Sequence, residues 1–304
     1  MDHSRGLIFA SLTALLWGFL AIALKMAVME VPPVTVVWFR FTSAFITLAV
    51  ITALVKPSDF RIFYRFPLIL VLAAIFLGGN YLGFISGMKY VSPSTAQVFI
   101  QAGPVSFALA GIFIFREKMT WKHLAGFLLV IGGMGLFYSQ QLLALVDREN
   151  QLTTGILLVM AGGLSWGVFA SIQKKLVKRY PTNQLNLFIY AFCSVMLIAF
   201  VDFSRFVTLS APEWGLMYFL GLNTVLAYGS LALAIKYTEA SRVSVIITLN
   251  PVITFVLMGL ATRTGVSWIE PERFSLISIV GAITVLSGAV IVILAGRKRS
   301  VKAG

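Results

Sequence analysis

Ten stretches of this chain are each apolar for about the length of a membrane crossing, with short polar breaks between them. One crossing takes about 20 mostly apolar residues. In hydrocarbon every backbone N–H and C=O must find an internal partner, so only helices and closed barrels span. Barrel strands alternate apolar and polar residues, and these runs do not. The pattern therefore predicts an all-α integral membrane protein. Its spans are 6–28, 34–55, 67–89, 94–115, 121–140, 154–177, 184–204, 214–236, 241–262 and 274–296. Turn and cap signals fill the breaks, among them Pro32-Pro33, Pro57-Ser58-Asp59, Ser92-Pro93-Ser94, Pro181-Thr182-Asn183 and Ala211-Pro212-Glu213.

Composition excludes the soluble alternatives. Only 12% of the 304 residues are charged and 59% are hydrophobic, whereas a soluble domain carries about 25% charged residues. The first apolar run is too long for a signal-peptide core and lacks a small-residue cleavage site, so it reads as span 1. Cys193, the single cysteine, lies in an apolar run and reads as a small buried hydrophobe.

A net charge of +13 in a soluble protein would point to nucleic acid. Here it is an orientation signal. With the N-terminus inside, inner segments hold 17 Lys and Arg and outer segments hold 6, with Arg40 inside span 2. That bias puts both termini in the cytoplasm of an inner or plasma membrane. The expected partners are the lipid bilayer and a small-molecule substrate, with no nucleic acid, no cofactor and no metal. Either a monomer or a homodimer fits.

The chain repeats itself. Gly6, Trp17, Gly18, Ala21 and Lys25 align with Gly155, Trp166, Gly167, Ala170 and Lys174 at an offset of 149. Tyr81, Lys89, Tyr90, Ser94, Pro104 and Val105 align with Tyr228, Lys236, Tyr237, Ser241, Pro251 and Val252 at 147. Gly126 and Gly133 align with Gly281 and Gly288 at 155, so the connection between spans 9 and 10 is eight residues longer than its counterpart. The expected units are a first repeat over 1–140, a linker over 141–153, and a second repeat over 154–304 with a basic cytoplasmic tail. Each repeat has five spans, an odd number. The second therefore enters the membrane from the opposite side, which makes ten helices in two inverted five-helix repeats, an architecture of alternating-access transporters.

These features together resemble the EamA-type members of the drug/metabolite transporter superfamily. The resemblance is carried by the duplicated Trp-Gly, Arg40-Phe41 in span 2, and Pro-Val midway through spans 4 and 9. Arg116-Glu117-Lys118 after span 4 and the Gly-x6-Gly spans 5 and 10 add to it. One departure stands out: the end of span 9 matching the Glu117 turn reads Ala261-Thr262-Arg263-Thr264, and its acids, Glu270 and Glu272, come later. The resemblance implies an exporter or exchanger of amino acids, other small metabolites or drugs.

Substrate sites in such repeats lie near the bilayer midplane between the halves. Mid-span polar and aromatic residues are the candidates: Trp17, Asn80, Tyr81, Gln97, Gln101, Trp166, Tyr228, Thr248 and Asn250. Trp17 and Trp166 sit away from the interface, where membrane Trp is usual. They read either as a cavity wall or as packing residues bonded to a neighbour's carbonyl. Gln97 and Gln101 share one helical face, and their counterparts are Ser244 and Thr248. Uncharged amides in hydrocarbon need partners, so this face points inward, to ligand or to a neighbouring helix; ligand contact is favoured for Gln101 and helix contact for Ser244. Pro104 and Pro251 cannot donate to the carbonyls of Ile100 and Ile247. Each reads as a fixed bend or as a hinge that leaves a carbonyl facing the cavity. Two charges lie within or near spans. Lys25 is roughly 12 Å past the centre of span 1, able to snorkel outward. Arg40 has substrate, lipid headgroups or helix-end carbonyls as its alternatives.

No Asp or Glu falls near the middle of any span. A midplane carboxylate is the usual grip on cationic drugs exchanged for protons. Its absence favours alternating-access transport of small neutral or zwitterionic, amino-acid-like metabolites, by export or exchange. The competing readings are proton-coupled cation efflux and a membrane-embedded lipid-modifying enzyme. The second lacks an Asp-rich motif, and histidine occurs only at His3 and His123.

Overall fold

The computed structural model describes residues 3–117, 120–137, 139, 150–263 and 275–295. The first repeat comprises α1 (His3–Glu30), α2 (Pro33–Val55), α3 (Leu68–Gly87), α4 (Pro93–Phe99), α5 (Ala102–Phe113) and α6 (Trp121–Phe137). The second comprises α7 (Asn150–Leu176), α8 (Thr182–Leu197), a short α9 (Ser204–Thr208), α10 (Ala211–Tyr237), α11 (Ala240–Ile247), α12 (Asn250–Arg263) and α13 (Leu276–Ala295). Eight spans have the length and hydropathy to cross a membrane, and spans 5 and 10 are shorter apolar helices among the described residues. The end of predicted span 5, most of the 141–153 linker, the turn holding Glu270 and Glu272, and the basic tail lie outside the described residues.

Local chemistry sets the helix starts. Pro33 and Pro93 open α2 and α4, where a missing N–H costs nothing and φ is already helical. Before α10 the Ser210 N–H donates to Glu213 Oε2 at 2.6 Å, one half of a capping box.

The packing shows the two-fold relation of the repeats directly. Span 1 lies on span 8, and its exchange partner, span 6, lies on span 3. Span 4 on span 6 is matched by span 9 on span 1, while spans 2 and 7 pair with each other, as do spans 5 and 10. Every one of these contacts maps onto another, or onto itself, when the two repeats are swapped. Small residues let the backbones approach, as helix pairs in lipid require. A Cβ placed on Gly83 of α3 would lie 2.7 Å from the Leu158 carbonyl oxygen, and one on Gly288 of α13 would lie 2.6 Å from that of Gly126.

Spans 4 and 9 are each broken into two helices at Ile100-Gln101 and Thr248-Leu249. The breaks fall about one turn before Pro104 and Pro251. This corrects the expectation of a freed carbonyl at Ile100, because that oxygen accepts the Gly103 N–H at 2.9 Å. Lacking the proline donor, the chain tightens to an i→i+3 bond. In span 9 an i→i+3 bond also falls at the break, one residue earlier in register, where Leu249 N–H donates to Ile246 O at 3.1 Å.

Candidate functional site

The broken helices and the two tryptophans meet at a central cavity. Its walls hold Trp17, Leu20 and Ala21 of α1, Arg40 of α2, and Asn80, Tyr81, Phe84 and Ile85 of α3. Gln97, Ile100, Gln101 and Pro104 of span 4 and Trp166, Tyr228, Ile247 and Asn250 of the second repeat complete them. Of the nine predicted substrate residues, all but Thr248 line this one space. Thr248 is buried with its hydroxyl on the Val245 carbonyl at 2.6 Å, spent on its own helix. Pro104 lines the cavity and Pro251 does not. Leu20, Phe84, Ile85 and Ile247 escaped the sequence reading because an apolar residue in an apolar span carries no mark of which way it faces.

Aromatic rings form one wall. Trp17 meets Trp166 edge-on at 5.8 Å and Tyr228 at 5.4 Å, and Tyr228 lies 5.7 Å from Tyr81. The Trp166 Nε1 is buried without an acceptor, so the reading of Trp166 as a packing residue bonded to a carbonyl does not hold. Polar bonds fix the floor. Asn80 Nδ2 donates to Gly162 O at 2.9 Å, and Asn80 Oδ1 accepts the Tyr228 hydroxyl at 3.4 Å.

Arg40 belongs to this site. Its guanidinium lies 4.3 Å over the Tyr81 ring, donates through Nε to Thr224 Oγ1 at 3.1 Å, and through Nη2 to the Tyr81 hydroxyl at 3.3 Å. It is 2% exposed. Lys25 does something else: its Nζ donates to the carbonyls of Met88 at 2.8 Å and Val91 at 3.2 Å, where α3 gives way to α4. Those helix-end oxygens need donors, and Lys25 is absent from the cavity wall. The repeat reproduces the arrangement. Lys174 donates to Thr238 O at 3.3 Å, and Thr238 is the counterpart of Val91. Ser244, for which a helix contact was expected, has a buried hydroxyl without a partner among the described residues.

At the end of the bundle where the N-terminus lies, the halves are latched together by Glu117, read from sequence only as part of a turn. Its carboxylate accepts the N–H groups of Ala240 at 2.8 Å and Ser241 at 3.1 Å, and the Ser241 hydroxyl at 2.9 Å. It also pairs with Lys174 Nζ at 2.9 Å. A first-repeat acid thus caps the first turn of second-repeat α11, a favourable place for negative charge. The turn that aims it puts Arg116 at φ 52°, a left-handed conformation that costs roughly 1–2 kcal/mol in a residue with a side chain. Burial pushes the Glu117 carboxyl up, but Lys174 and the two backbone N–H groups outweigh it and hold it below the ordinary carboxylate range. The matching position in sequence is Thr264, and the later acids Glu270 and Glu272 lie outside the described residues.

The cavity is lopsided along the bundle. Leu20, Ala21, Phe84, Ile85 and Gln97 extend it toward the end away from the N-terminus. Their repeat counterparts, Phe169, Ala170, Leu231, Ala232 and Ser244, are buried and none lines it. Among the described residues no carboxylate lines the cavity either.

Known proteins agree with this architecture. The profile of the EamA-like transporter family matches residues 4–139 and 153–294. An uncharacterized transporter of Haemophilus influenzae is 32% identical over 288 residues, 94% of each chain. The uncharacterized inner membrane transporter YhbE of Escherichia coli is 31% identical over 287 residues, 93% of this chain and 89% of its own. A more distant relative, 22% identical over 311 residues and 98% of each chain, is a probable amino-acid metabolite efflux pump of Escherichia coli. A solved crystal structure with 19% identity shares the fold at a TM-score of 0.75, covering 97% of this chain and 99% of its own. With its repeats matched one after the other by that profile, the chain belongs to the EamA-like transporter family and is a membrane transporter.

Proposed function

We propose that the protein is a secondary transporter that carries small neutral or zwitterionic metabolites by alternating access, in export or exchange. The observation that supports this best is a central cavity lined by both repeats, extended toward one end of the bundle and latched at the other by Glu117 and Lys174. Swapping the conformations of two inverted repeats would move the extension to the opposite end. The charge bias along the chain, 17 to 6, makes the latched end the cytoplasmic one, with both termini on that side. The conformation described is then closed to the cytoplasm. The lack of a carboxylate on the cavity wall disfavours a cationic drug as cargo.

The test is counterflow in proteoliposomes preloaded with pooled amino acids, amines, nucleobases and sugars. A carrier speeds entry of labelled solute when the same solute is trapped inside. Absence of acceleration for every solute sinks the proposal. Reporter fusions at residues 1 and 304 check the orientation, and the expected signal is cytoplasmic at both ends.

A further inference from the structure

We infer that the cavity reads both charges of a free amino acid: Arg40 receives the carboxylate, and the side-chain oxygens of Gln97 and Gln101 receive the ammonium group. This rests on the transporter reading above and adds the chemistry of its cargo.

The first half of the argument is a charge without a countercharge. Arg40 is buried inside a span and lines the cavity. Among the described residues no carboxylate pairs with it. A guanidinium has five N–H donors, and two are engaged, by Thr224 and Tyr81. Those neutral partners and the Tyr81 ring hold the group in place without neutralising it. A buried cation of this kind is costly until an anion meets it. The rigid planar fork matches a carboxylate in two parallel bonds.

The second half is a pair of acceptors without donors. Gln97 Nε2 donates to Trp17 O at 3.4 Å and Gln101 Nε2 to Gln97 O at 3.2 Å. A backbone carbonyl only accepts, so each amide nitrogen must be the end that faces it. The Oε1 atoms of both residues are then the remaining ends, and both are buried with no donor among the described residues. An unpaired buried acceptor is expensive. A primary ammonium brings three donors to such a site, and the aromatic wall of Trp17 and Tyr228 offers it ring faces as well. The rest of the wall, Leu20, Phe84 and Ile85 among it, suits an apolar side chain. The cargo that satisfies all of this has a free carboxylate, a free ammonium group and an apolar body.

The experiment takes the amino acid that gives the strongest counterflow and compares it with its methyl ester, its decarboxylated amine and its deaminated acid. The parent should compete best. Loss of the carboxylate should weaken competition by roughly ten- to a hundredfold, the scale of a charge-assisted bond. Arg40→Gln should erase the advantage of the parent over the amine, and Arg40→Lys should retain part of it. A selectivity ratio cannot be produced by a misfolded carrier, so a loss of folding in Arg40→Gln leaves Arg40→Lys to decide. Gln97→Leu with Gln101→Leu should erase the advantage of the parent over the deaminated acid while keeping the dependence on Arg40. An ester or amine that competes as well as the parent overturns the assignment. So does counterflow confined to solutes without a carboxylate. Total absence of counterflow overturns the transporter reading instead.

Discussion

At the scale of single residues, the site divides into groups that shape the space and groups that close it. Trp17 and Gln101 shape it. Trp17→Ala removes the ring that meets both Trp166 and Tyr228, and Gln101→Ala removes the bond to Asn250 Oδ1 at 3.1 Å. Each should raise the half-saturation constant for counterflow by about tenfold or more, the size of one lost polar or aromatic contact. The monodisperse peak on size exclusion should be unchanged, and ordinary kinetics in both variants would remove them from the site. Glu117 closes it. Glu117→Gln deletes the ion pair with Lys174 while keeping some bonding to Ala240 and Ser241. It should increase labelling of cysteines introduced at the N-terminal end of the cavity severalfold. The sign of the pH effect follows from the lowered carboxyl. The stabilisation of the latch is complete above the ordinary carboxylate range, about pH 4–5, and is lost as pH falls through the depressed value. Closure should therefore be flat with pH between about 6 and 8, and accessibility that rises across that window would mean another group titrates the latch. Trp17, Tyr81, Gln101 and Tyr228 could be found from sequence because polarity in the middle of an apolar span is conspicuous. Glu117 could not be placed, since its partners lie on the other repeat, Lys174 more than fifty and Ala240 and Ser241 more than a hundred residues away, and a Glu after a helix looks like any loop charge.

At the scale of elements, glycines and broken helices govern what the repeats can do. α3 and α7 touch through backbone: Gly83 meets Leu158 O, while Gly162 lies against Asn80 O and Phe84 N. Gly83→Ala should cost roughly 1–3 kcal/mol by overpacking, read as a lower melting temperature in detergent, and an unchanged melting temperature would show that the pair slides apart freely. The ten spans, their order and their breaks were legible in the sequence, because hydropathy over a span's length has few explanations. The interruption of spans 4 and 9 before the prolines was less so. The sequence names the missing donor but not the hydrogen bond that replaces it, and here Gly103 supplies that bond to Ile100. Pairing of span 1 with 8 and 3 with 6 was also hidden, since identical apolar faces do not say which neighbour they prefer.

At the scale of the whole molecule, duplication makes the two repeats near equivalents in shape, while the cavity between them is lined unevenly by the two. Lys25 and Lys174 sit at matching corners, each donating to matching carbonyls at Val91 and Thr238. Lys174 also pairs with an acid across the repeat boundary, Glu117. A carrier whose empty form dwells mostly closed to one compartment presents a competent site there for only a fraction of the time, and its apparent affinity on that face is reduced by that fraction. Half-saturation measured from the cytoplasmic face, in inside-out vesicles, should accordingly exceed that measured from the other face. Glu117→Gln should bring the two values together. A latch on one side would in this way make the protein sense the same solute differently on its two faces, loading from the cell only when the internal pool is high while rebinding released solute from outside at lower concentrations.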